Sequence, residues 1–271
     1  MKLRINKQSP WFWGLTGSLS VLVVSPLAAT STGIEFLYPL SLLPLSLLFW
    51  TLTRLPSRAM GLRLGTVRTH VLAVMYPVFV MGLTGLIAYL SGSIRVTHFP
   101  VLAVSKGVLL IFLFTLALGP LTEEGFFRGW LWGVLEASGT KLWVRLIWTS
   151  AVFSSWHYAT TLLMSHAAVP VSRVPVYLTN VLLIGLVLGL LREMSGSILA
   201  PSVSHALWNA LQYTLYGSGT NTGVLQEAAH RLLDPERGLL GILLGLGTFG
   251  ILYGWTLRTT PDILKGDTDH A

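Results

Sequence analysis

The chain contains no cysteine. That excludes disulfides, thiolate nucleophiles and cysteine-based zinc sites. Charge is scarce as well: Asp, Glu, Lys and Arg make up 11% of the 271 residues, against 52% hydrophobic. Long apolar runs and a mean hydropathy of +0.67 leave no room for a large soluble domain. Such a chain reads as a polytopic membrane protein. The net charge of +7 comes from basic residues in loops, mostly on one side, so it is a topology signal and no nucleic-acid partner is expected.

Eight apolar segments approach the roughly 20 residues a crossing needs. They cover 11–29, 34–53, 70–91, 100–119, 146–165, 174–191, 198–216 and 238–257. A shorter segment, 122–137, lies between the fourth and fifth and reads as amphipathic. With the N-terminus placed in the cytoplasm, thirteen Lys and Arg residues fall inside and four (Arg95, Arg173, Arg231, Arg237) outside, with Lys106 in the fourth span. This bias predicts an all-α bundle of about eight transmembrane helices, one integral-membrane domain over 1–271, with both termini cytoplasmic. Lys2, Arg4 and Lys7 before the first apolar run resemble a signal peptide. The run is long for one, and Ala28-Ala-Thr30 is a weak cleavage site, so an uncleaved anchor is expected.

Within this apolar chain, Glu123 and Glu124 stand side by side, with Arg128 four residues on. A carboxylate at membrane depth costs roughly 2.5–3.5 kcal/mol on insertion scales and is by default a functional hypothesis. His157 and His205 lie in later apolar segments. At 1.5 Å per residue they sit about 18 Å and about 12 Å along their helices. A short inward tilt or re-entry of 122–137 would bring the carboxylates to them. Each feature alone has a plain structural reading: a boundary ion pair, or a satisfied membrane histidine. Together they supply the groups that hydrolysis needs.

Helical spacing sorts the roles. Glu124 and Arg128, four apart, form an ion pair on one face. Glu123 points about 100° away and is freer to accept a proton. Phe153 shares a face with His157, and His205 with Asn209. An imidazole and a carboxamide aimed at one atom suit an oxyanion. A carboxylate beside an imidazole suits activation of water. No serine lies in a nucleophile-elbow context, which argues against a serine-type intramembrane protease.

Glu123-Glu124-x-x-x-Arg128, Phe153-x-x-x-His157 and His205-x-x-x-Asn209, in that order, resemble the three motifs of the CAAX prenyl protease 2 and bacteriocin-processing (CPBP, or Abi) family of intramembrane proteases. The run from Gly189 to His205 also resembles that family's approach to its third motif. The resemblance covers about 107–213, the expected catalytic core. It implies an eight-helix bundle with a cavity open toward the cytoplasm and the membrane. It also implies an endopeptidase acting on a membrane-anchored or hydrophobic peptide. By the same resemblance Glu123 and His157 activate water, Glu124 and Arg128 support the site, and His205 and Asn209 stabilise the oxyanion. The family has been described both as metalloproteases and as glutamate-type proteases. The chain lacks the HExxH pattern of zincins, and no metal is favoured; if zinc binds, Glu123, His157 and His205 are its ligands. The small size, tight loops and basic N-terminus suggest a bacterial cytoplasmic membrane protein.

The alternative is a non-enzymatic bacteriocin-immunity or chaperone-like membrane protein of the same fold. A proton-relay transporter is a weaker reading, because no inverted repeat is visible. Trp156 and Trp208 are expected to pack the bundle or to line its cavity. His70, His98, His166 and His230 are expected near span ends or in loops. The stretch 217–237 is expected to be an external segment with a short helix and no obvious role.

Overall fold

The computed structural model describes residues 10–94, 99–163, 169–217, 223–225 and 232–259. His98, His166 and His230, and the Ala-rich stretch from Gln226 to 231, lie outside them. The described residues are helical, with no strand among them. The order is α1 (Pro10–Thr32), α2 (Leu37–Leu40), α3 (Leu42–Thr53), α4 (Val67–Leu90) and α5 (Val101–Leu118). A π-helix (Gly125–Leu131) follows and runs directly into α6 (Trp132–Ala137). Then come α7 (Leu142–Leu163), α8 (Val174–Ser195), α9 (Leu199–Leu211), a second π-helix (Gln212–Tyr216) and α10 (Leu239–Thr259).

Helical structure occupies all eight expected segments. Five helices, within 11–32, 67–90, 101–118, 171–195 and 239–258, are long and apolar enough to cross a membrane. The other three segments are shorter, interrupted or more polar. The 34–53 segment breaks at Ser41, whose hydroxyl donates to the Tyr38 carbonyl. The 198–216 segment changes from α to π winding. α7 carries Arg145, Thr149, Ser150 and Ser154 as buried residues. The helix face turned into the bundle need not be apolar, because its neighbours satisfy its polar groups.

The segment 122–137 differs from the amphipathic helix expected. Residues 124–135 are all buried, and Gly125–Leu131 is wound as a π-helix. The segment lies inside the bundle, with no solvated face over that stretch. Trp130 shows how tightly it is held. Its ring stacks on Phe49 at 4.6 Å and its indole N–H donates to Thr53 Oγ1 at 3.2 Å. A Cβ on Gly17 of α1 would run into the same ring. Glycine at 17 therefore lets α1 close onto the π-helix. α8 ends at Gly196, which takes a left-handed conformation (φ 59°) and returns its N–H to the Arg192 carbonyl, the usual glycine stop for a helix.

Candidate active site

Three helical elements bring the motif residues together. Glu123 and Glu124 stand at the entrance to the first π-helix, and Arg128 lies within it. His157 comes from α7; His205 and Asn209 come from α9. π-Helical turns are rare and often occur at functional sites. Here the winding begins at the paired carboxylates, where the Glu124 N–H reaches back five residues to the Gly119 carbonyl at 2.9 Å.

Glu124 is fully buried. Its Oε1 accepts from Arg128 Nη1 at 3.0 Å and from His205 Nδ1 at 2.9 Å. Arg128 is equally buried and also donates to the Gly185 carbonyl at 3.2 Å. Its guanidinium lies 4.3 Å from the centre of the Phe153 ring. Arg128 is therefore an internal cation, not one of the loop charges that the topology census counted.

Glu123 is partly exposed and faces both imidazoles. Its Oε2 lies 3.9 Å from His157 Nε2 and 3.8 Å from His205 Nε2. Among the described residues no hydrogen-bond donor satisfies this buried oxygen. Both rings are held from behind. His157 Nδ1 lies 3.0 Å from the Phe153 carbonyl, and His205 Nδ1 donates to Glu124. A carbonyl can only accept, so His157 carries its proton on Nδ1 and turns a basic Nε2 toward Glu123. The 3.8–3.9 Å gaps exceed a direct hydrogen bond and suit contact through a shared water.

Glu123 Oε2 and the two Nε2 atoms are a donor set of the kind zinc accepts. Among the described residues, no group of three or more His, Asp or Glu side chains has the arrangement of a metal site.

Two cavities meet at this point. A chamber of about 140 Å³ is lined by Glu123, His157, His205 and Asn209, with Trp156 and Trp208 in its wall. An apolar cleft of about 530 Å³ runs between α2 and α5 and shares Glu123, His205 and Asn209 with the chamber. Its rim carries Phe36, Leu110 and Phe114, which are 48%, 68% and 59% exposed, so it opens on the apolar flank of the bundle. None of the residues of α5 is buried.

Sequence reasoning missed part of the chamber. Tyr38, Tyr177, Tyr213, Glu236 and Arg237 also line it. The Asp234–Gly238 turn lies in the stretch expected to have no role. Asp234 Oδ1 caps the Glu236 and Arg237 N–H groups at 2.8 and 2.7 Å, and Asn180 Nδ2 donates to the Glu236 and Gly238 carbonyls at 3.0 Å each. Burial raises the Glu236 carboxyl above its usual range, against the opposing pull of Arg237. The contacts of this turn span 56 and 58 residues, so no local pattern announces them.

No curated protein and no solved structure matches the chain. A family model described as type II CAAX prenyl endopeptidase Rce1-like matches residues 105–211. All six motif side chains lie inside that stretch, over which the chain is similar to the CAAX family of membrane proteases.

Proposed function

We propose that the protein is an intramembrane endopeptidase that hydrolyses a peptide bond in a membrane-anchored or hydrophobic peptide, in a bacterial cytoplasmic membrane. Eight crossings, with both termini in the cytoplasm, complete this reading. The observation that carries it is the unsatisfied Glu123 Oε2 facing two imidazole Nε2 atoms at 3.8 and 3.9 Å. A water held there is polarised by Glu123 and His157 and attacks the scissile carbonyl, while the carboxylate–imidazole pair takes its proton. The oxyanion that forms is met by Asn209 and by the Nε2–H of His205 as an imidazolium, whose Nδ1–H is held by Glu124. Arg128 neutralises Glu124 and fixes its position. The apolar cleft receives the hydrophobic part of the substrate and leads its peptide bond to Glu123.

No metal takes part in this mechanism. If zinc is bound, Glu123, His157 and His205 hold it. The reading is tested by incubating purified protein in lipid nanodiscs with hydrophobic and lipid-modified peptides and identifying products by mass spectrometry. Cleaved fragments support it. Intact peptides with stable, specific binding would favour the non-enzymatic immunity or chaperone-like role.

A further inference from the structure

A second concave site lies at the end of the bundle where α3, α6 and α8 stop and α4 starts. It is a groove of about 570 Å³ between the 54–66 loop, the end of α6 and the end of α8. Arg58, Arg63, Arg192, Glu136 and Glu193 line it. With Arg145 beside them, four guanidiniums face two carboxylates.

One of the carboxylates is already hydrogen-bonded. Both oxygens of Glu193 accept from Arg145 Nη2, at 3.1 and 3.0 Å. Glu136 is 43% exposed and lies 3.9 Å from both Arg145 and Arg192, beyond hydrogen-bond range. Among the described residues no carboxylate pairs with Arg58 or Arg63. Arg63 is nonetheless fixed: its Nε donates to the Gly196 carbonyl at 2.6 Å, and its guanidinium fills the space where a side chain at 196 would stand. Arg192 is 3% exposed; its Nε donates to the Arg128 carbonyl at 2.9 Å and its Nη2 to the Ala59 carbonyl at 2.8 Å. The groove thus holds positioned cations with spare donors.

Guanidiniums in this arrangement match the planar, two-point recognition of phosphate oxygens. The groove sits among helix ends, at headgroup depth for a bundle crossing a bilayer. Basic pockets between helix ends at that depth hold anionic headgroups. We propose that the groove binds a phosphate-bearing anion, supplied by the headgroup of an anionic membrane lipid. Such a ligand joins Arg58 and Arg63 of the 54–66 loop to the end of α8. Arg192 ties the same region to the backbone of the catalytic π-helix, so occupancy stabilises the fold around the site.

The test reads thermal stability, so it stands or falls separately from proteolysis. Full-length protein is reconstituted in phosphatidylcholine nanodiscs with and without phosphatidylglycerol. Phosphatidylglycerol is expected to raise Tm by roughly 5 °C at saturation. The Arg58→Gln/Arg63→Gln double variant should lose that shift. Arg54→Gln/Arg258→Gln, which removes equal charge outside the groove, should keep it. Inorganic phosphate added to phosphatidylcholine nanodiscs separates the sources. A shift there that the Arg58/Arg63 variant abolishes supports the phosphate site with a soluble ligand. No shift from either probe, or a shift that survives in the Arg58/Arg63 variant, overturns the proposal.

Discussion

Glu124→Gln tests whether the support behind the site is a desolvated ion pair. Glu124 and Arg128 are both fully buried, 3.0 Å apart, and the same Glu124 oxygen holds His205 at 2.9 Å. Glutamine keeps the volume and one acceptor but removes the charge. Arg128 then retains only the Gly185 carbonyl and the face of Phe153. Removing one partner of a buried pair costs about 3–5 kcal/mol, because the remaining charge is uncompensated. For a chain of this size that corresponds to a fall in Tm of roughly 6–20 °C. Arg128→Met should destabilise by a similar amount from the other side. The double variant Glu124→Gln/Arg128→Met leaves no stranded charge, so its loss should fall short of the sum by about 1–3 kcal/mol. Thermal unfolding of the four proteins in one detergent measures the coupling. A Glu124→Gln protein within 2 °C of the parent (well under the roughly 6 °C floor), or strictly additive losses, would refute the buried-pair reasoning.

Three further outcomes are expected. Gly17→Ala drives a methyl into the Trp130 ring and should destabilise by about 1–3 kcal/mol while activity per folded molecule is kept; circular dichroism melts alongside turnover check it. Asn209→Ala should lower kcat by about 10²–10³ with KM nearly unchanged, since its contact forms mainly in the transition state; full activity per folded molecule removes it from the site. Elemental analysis of active, chelator-treated protein should find no stoichiometric zinc, and zinc lost together with activity would assign a metal to Glu123, His157 and His205.

Much of this was legible because charge is costly in an apolar chain. Glu123, Glu124, Arg128, His157 and His205 stand out against their surroundings, and i,i+4 spacing pairs Glu124 with Arg128. The 122–137 segment was misread because Glu and Arg counted as a polar face. In the fold Glu124 and Arg128 neutralise one another inside the bundle, and residues 124–135 are all buried. Glu236 and Tyr38 were invisible because long-range contacts place them. The Asn180 amide pins the turn that carries Glu236, and Tyr38 donates to the Trp156 carbonyl, 118 residues away, beside His157. The number of crossings is harder to read from hydropathy, since α9 and the inward face of α7 are covered by neighbours and can keep polar residues.

Glu123→Gln addresses the central claim. The substitution keeps size and hydrogen bonding but removes the basic oxygen that faces both imidazoles at 3.8 and 3.9 Å. The measurement is single-turnover hydrolysis of a membrane-anchored peptide by parent and variant proteins with matched expression and melting temperature. The rate should fall by ~10²–10⁴ while the protein stays folded and inserted. Near-parental turnover by a well-folded Glu123→Gln protein would contradict it.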